Sequence, residues 1–211
     1  MYKHIIFDFD GTLVDSTSEI MMVYNELAVK YNFKNVNHEE YKLLNHLSLK
    51  ERFKALNVPM YKFLLIRKIG KEFKERYKQH LNSILFIDQM REVVNALQSE
   101  GYKIAIITSN SAANVSNFLH TQNFKGIHEV RSSNGLFGKH QTLKKYLKDN
   151  QLNREDVIYI GDETRDIIAC KKCEIDVIAV SWGLDTKESL LGEDPNYLVD
   201  QPDEIRGILI K

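Results

Sequence analysis

Four short apolar runs, Ile5 to Phe9, Lys103 to Thr108, Val157 to Gly161 and Val177 to Ser181, punctuate a chain otherwise patterned at helical period. Each is about five residues long, rich in Ile and Val, and free of polar alternation, as a strand covered on both faces of a parallel sheet reads. Helical spacing separates them. Gln89 to Ser99 places Met90, Val93, Val94 and Leu97 on one face, and Asn114 to Thr121 and Gln141 to Lys148 repeat that spacing. Strand alternating with helix predicts an α/β fold, a doubly wound parallel sheet with right-handed crossovers. Between Asp15 and Leu85 the pattern changes: strand-like runs vanish, and amphipathic stretches such as Glu19 to Tyr31 and Lys62 to Leu81 take over, with Pro59 breaking the chain before the second of them. The expected organisation is an α/β core of residues 1–15 and 86–211 carrying a helical insertion at residues 16–85.

Composition narrows the partners. Apolar residues at 43% and charged residues at 27% of 211 are ordinary for a globular protein with a sizeable core. Lys plus Arg balances Asp plus Glu at 29 each, so no global field draws the chain to nucleic acid or to a membrane surface. A single Lys precedes a very short apolar run at the N-terminus, and no run approaches the roughly 18 residues of a membrane span. A cytoplasmic address and a small-molecule partner are expected, with no membrane and no nucleic acid; oligomeric state is not written in the pattern. Cys170 and Cys173 form a lone Cys-x-x-Cys, readable as a redox pair or half a metal site, but they fall in a helical segment and no second pair completes a zinc site.

Open parallel sheets bind ligands beyond the carboxyl ends of their strands, so the residues after each run carry the chemistry. Asp8 and Asp10 follow the first, expected on one side of the chain with Phe7 and Phe9 on the other, before a turn at Gly11. Two carboxylates at a buried strand end cost several kcal/mol unless a cation or hydrogen-bond donors meet them, which points to metal binding or acid–base work. Thr108-Ser109-Asn110 follows the second run, and Gly161-Asp162-Glu163-Thr164-Arg165-Asp166 the third. Between them, Leu136-Phe137-Gly138 precedes Lys139 and a helical segment, with Lys144 and Lys145 further along it. Each has a bland alternative: Ser109 or Asn110 as a helix cap, Lys139 as a solvated surface residue, Asp162 and Asp166 as a cap or surface charges at the four-residue spacing of a helix face, with the Gly161 turn expected before the helix itself.

Taken in order, Asp8-Phe9-Asp10-Gly11-Thr12-Leu13, Thr108, Lys139 and Gly161-Asp162 to Asp166 resemble the four motifs of the haloacid dehalogenase-like superfamily, most of whose members are phosphatases. The insertion point after Asp15 resembles the subclass that includes phosphoglycolate phosphatase and beta-phosphoglucomutase. The resemblance implies a Rossmann-like core whose helical cap closes over the active site. It implies Asp8 as a nucleophile forming an aspartyl-phosphate and Asp10 as general acid and base. Mg²⁺ would be held by the Asp8 carboxylate, the Asp10 backbone carbonyl and Asp162, with Glu163 a further candidate ligand. Thr108, with the Ser109 and Asn110 amides, would bind the phosphoryl group, and Lys139 would neutralise it and Asp8. Asp166 would coordinate a metal water or orient Lys139, and Gly11 and Gly161 would support the turns.

The implied reaction is hydrolysis of a small phosphorylated metabolite. A phosphomutase would share every core residue, and a non-catalytic phosphate-binding protein on the same scaffold is the reading from another class. A dehalogenase is disfavoured by Asp10, because a departing halide needs no proton. Substrate choice would fall to the cap, where His46, Lys50 and Arg52 could meet an anionic group or be plain solvated positions. Phe86-Ile87-Asp88 departs from the Pro-Gly turn that many relatives have where the chain re-enters the core.

Overall fold

The computed structural model describes residues 2–59, 61–133 and 138–210. Six strands form one parallel sheet: β1 (His4–Phe7), β4 (Lys103–Thr108), β5 (Ile127–Ser132), β6 (Val157–Gly161), β7 (Asp176–Val180) and β8 (Tyr197–Val199), in the order β5-β4-β1-β6-β7-β8. β1 lies at the centre, His4 opposite Lys103 on one side and Val157 on the other. The expected α/β parallel sheet is therefore observed.

Residue parity explains why the interior strands are apolar throughout. Ile6, Ala105, Ile107, Val157, Tyr159, Val177 and Ala179 join one core cluster with residues of α7 (Lys139–Asp149), α8 (Thr164–Lys171) and α9 (Lys187–Gly192). Their alternates Ile5, Phe7, Ile104, Ile106, Ile158, Ile160 and Ile178 are equally buried, so both faces are covered. α5 (Met90–Ser99) packs against α10 (Pro202–Leu209), and α6 (Ala112–Thr121) against β5.

The chain divides into two compact units, Met1–Asp15 with Leu85–Lys211, and Ser16–Ile84. Within the first, β2 (Val14–Asp15) pairs antiparallel with β3 (Leu85–Phe86), so the chain leaves and re-enters this unit on adjacent strands. The second unit is helical: α1 (Thr17–Tyr31), α2 (His38–Leu44), α3 (Leu49–Ala55) and α4 (Phe63–Tyr77), the last tightening to a 3₁₀ turn over Lys78–Ser83. α2 and α3 start on capping boxes, Asn37 with Glu40 and Ser48 with Glu51. Among the described residues no helix is long and apolar enough to cross a membrane.

Two sequence expectations shift. β1 ends at Phe7 rather than Phe9, because the N–H groups of Leu13 and Val14 converge on the Phe9 carbonyl and curl the segment into a turn. Asp8 and Asp10 are thus set by that turn and not by strand alternation. Helix α8 begins at Thr164, so Asp162 lies in the turn before it, as the Gly161 turn leads one to expect. α6 begins at Ala112 with Ser111 in the cap position, so neither Ser109 nor Asn110 is its N-cap. Leu136 and Phe137 lie outside the described residues.

Candidate active site

The carboxyl ends of β1, β4 and β6 bring Asp8, Thr108 and Asp162 to one edge of the sheet, and the first turn of α7 adds Lys139. Lys139 is buried, and its Nζ donates to Asp8 Oδ2 at 2.8 Å and to Asp166 Oδ1 at 2.5 Å. Burial alone would lower its pKa, but the carboxylates of Asp166 and Asp8 outweigh that and hold it above its ordinary value, so it is an ammonium. The other Asp8 oxygen accepts the Phe9 N–H at 2.8 Å.

Asp162 is fully buried. Its Oδ1 accepts from the Thr12 hydroxyl at 2.7 Å and its Oδ2 from the Leu184 N–H at 2.8 Å. Two glycines press on it. A Cβ at Gly11, whose φ is +78°, would stand 2.3 Å from Asp162 Oδ2, and one at Gly183 would stand 2.2 Å from Asp162 Cβ. Gly161 does the same for Asp166, whose Oδ2 would meet its Cβ at 2.3 Å. Gly183 carries no chemical signal in the sequence and is recognisable only from this approach.

Asp8, Asp162 and Asp166 each offer an oxygen within 4.8 Å of the others. Burial, then Glu163, Asp8 and Asp166, drive the Asp162 pKa well up, and burial pushes Asp166 up to about 7 against the pull of Lys139. Four acids, Asp8, Asp162, Glu163 and Asp166, face two cations, Lys139 and Arg165. Asp166 Oδ2 is buried without a hydrogen-bond partner among the described residues. An all-oxygen set with excess negative charge and an orphaned carboxylate oxygen fits a hard divalent cation.

The loop after β4 completes the cluster. Asn110 donates from its side chain to Asp10 Oδ2 at 3.0 Å, while its backbone N–H is taken by Thr108 Oγ1 at 3.0 Å. The Asn110 amide expected to meet phosphate is therefore engaged within the loop. Ser109 Oγ accepts from Arg165 Nη2 at 3.0 Å. Arg165 grips Glu163 through Nε at 2.6 Å and Nη2 at 2.5 Å, so both oxygens of that candidate ligand are occupied by a guanidinium. Arg165 bears no signal of this role in the sequence, because an Arg two residues from a Glu looks like a solvated pair.

In the helical unit, the three candidate substrate contacts separate. His46 and Lys50 are exposed, His46 in the turn between α2 and α3. Arg52 instead closes that turn, donating from Nε to the Leu44 and Leu47 carbonyls at 2.8 and 2.9 Å, so it is a clasp on the C-terminal end of α2.

A buried lysine thus stands between two aspartates, with a third carboxylate beside them, at the strand tips of a parallel sheet. The chain belongs to the haloacid dehalogenase-like hydrolases, whose family model matches residues 5–180. The resemblance read from the four motifs is thus borne out. The phosphoglycolate phosphatase of Synechococcus elongatus is 25% identical over 203 residues, covering 95% of this chain and 94% of its own. A pyrophosphatase of Bacillus mycoides is 23% identical over 213 residues, covering 97% and 95%. A haloacid dehalogenase-like family hydrolase from Streptococcus pneumoniae superposes with a TM-score of 0.81 at 20% identity, covering 98% of each chain. CbbY from Rhodobacter sphaeroides, solved in complex with phosphate, gives 0.73 at 19% identity over 97% and 96%. These two likenesses establish the fold.

Proposed function

We propose that the chain is a Mg²⁺-dependent phosphatase that hydrolyses a small phosphorylated metabolite, of phosphoglycolate or sugar-phosphate type, through an aspartyl-phosphate on Asp8. The single observation that carries the reading is the Asp8–Lys139–Asp166 chain beside Asp162: a nucleophile held by a fixed cation, next to a carboxylate set in need of a second one. The relatives named for phosphoglycolate and pyrophosphate support the substrate class.

Asp8 is anchored at both oxygens, which aims it before substrate arrives. It attacks phosphorus, forming a carboxylate–phosphorus bond as the ester oxygen leaves. Asp10, partly exposed and held by Asn110, gives that oxygen a proton and then takes one from the water that opens the aspartyl-phosphate. Acid–base help of this sort is worth about 10² to 10⁴ in rate. Thr108 Oγ1 accepts the Asn110 N–H, which leaves its own proton to donate to a phosphoryl oxygen, and Lys139 offsets the charge that Asp8 brings to an anionic substrate. Asp8, Asp162 and the Asp10 carbonyl would hold Mg²⁺, whose charge would draw together the nucleophile and the phosphoryl oxygens when it is bound.

Replacing Asp8 by Asn tests the reading. Hydrolysis of p-nitrophenyl phosphate is expected to fall by about 10⁴-fold or more, the scale on which loss of a nucleophile acts, with the circular dichroism spectrum unchanged. Hydrolysis retained at a wild-type rate would refute it.

A further inference from the structure

We infer that Arg165 is a positioning residue that ties the phosphate-binding loop to the acidic loop, holding Ser109, and through it Thr108, in place for the phosphoryl group. The inference rests on the phosphatase reading and adds a part to it. An Arg–Glu pair two residues apart in sequence is ordinarily worth little when solvated. Here the side chain of Glu163 is 10% exposed and that of Arg165 22%, and the guanidinium does not stop at its neighbour. Nε and Nη2 fork onto the two Glu163 oxygens, which fixes the plane of the guanidinium. Nη2 then reaches Ser109 Oγ, 56 residues away in the chain and on the tip of a different strand.

Other tethers of that loop run in other directions. Ser132 Oγ donates to the Asn110 carbonyl at 2.6 Å, the Ser133 N–H to the Thr108 carbonyl at 2.7 Å, and Asn110 to Asp10. These hold the loop to β5 and to the β1 turn. Arg165 joins it to the segment carrying Asp162 and Asp166, so the spacing between phosphoryl and cation sites responds to it. Because Arg165 occupies both Glu163 oxygens, the same contact keeps Glu163 turned to the loop.

The test uses Mg²⁺-loaded protein and inorganic phosphate as the probe, followed by the fluorescence of Trp182, the chain's single tryptophan, whose Nε1 donates to the Thr12 carbonyl. Arg165→Gln and Ser109→Ala are each expected to weaken phosphate binding about tenfold, the loss of one charge-assisted contact. The double variant should be no more than about twofold weaker than the worse single, because both remove the same link. Arg165→Lys should restore less than half of the loss on a logarithmic scale, since an ammonium cannot fork. Mg²⁺ affinity should stay within about twofold throughout, which damage to the fold would not allow. Additive losses, full rescue by lysine, or unchanged phosphate affinity in the single variants would overturn the proposal; where Arg165→Gln fails to fold, Arg165→Lys and Ser109→Ala decide. Wild-type protein that does not bind phosphate would instead overturn the phosphatase reading beneath it.

Discussion

Asp162 shows what a single carboxyl group needs in order to sit wholly inside this protein. It accepts two hydrogen bonds, from Thr12 and Leu184, and two glycines stand where side chains would push it aside. Gly183 is the sharper case, because the Cβ it lacks would collide with Asp162 Cβ, an atom close to the backbone that cannot swing away. Gly183→Ala is therefore expected to cost about 1–3 kcal/mol in urea denaturation, the usual scale of overpacking, and to weaken divalent-metal binding with it. Gly192→Ala is the control: nothing lies within 4 Å of its missing Cβ, and it should change stability by no more than about 1 kcal/mol. Equal effects of the two would contradict this account of Asp162. The acids, Thr108 and Lys139 were legible in the sequence because each bears chemistry of its own at a predicted strand end or helix start. Gly183 and Arg165 were not, since the role of each exists only through a partner distant in the chain.

At the scale of elements, legibility followed position in the sheet. The four strands read from apolar runs, β1, β4, β6 and β7, are the interior ones, each with a neighbour on both sides. The two that escaped are its edges. β5 carries His128, Glu129 and Arg131 among its six residues and is only half buried, and β8 has three residues. An edge strand keeps one side open to solvent, so it shows no continuous apolar run. The return into the α/β unit was also opaque. In place of a Pro-Gly turn, the Ile87 N–H bonds the Leu13 carbonyl and Gln89 takes a left-handed φ of +63° at the cap of α5. The Gln89 side chain is exposed, while its backbone bears a left-handed cost of about 1–2 kcal/mol. Gln89→Gly should remove that strain, offset by about 0.5–1 kcal/mol of added chain entropy, for a net gain of up to about 1 kcal/mol in urea denaturation. A net loss would mean that the side chain contributes more than the backbone costs.

Over the whole molecule, the balance of charge conceals a division. Residues 16–84 hold 13 Lys and Arg against 7 Glu and no Asp, whereas the rest of the chain holds 16 against 22 acids. The α/β unit is thus the acidic one, and its buried Asp8, Asp162 and Asp166 concentrate that excess at one point. A cation that binds there only in the folded state must stabilise that state by mass action, by about 2.7 kcal/mol at a hundredfold excess over its dissociation constant. Trp182 belongs to the same unit, so its fluorescence follows the unfolding of the part that holds the metal. Adding Mg²⁺ should move the urea midpoint reported by Trp182 upward, and KCl at equal ionic strength should move it much less, because screening relieves repulsion without bridging the carboxylates. Asp162→Asn should remove most of the Mg²⁺-specific shift while raising stability in metal-free buffer, since it deletes a buried charge that its neighbours oppose. A Mg²⁺ shift that survives Asp162→Asn undiminished would place the cation elsewhere in the molecule.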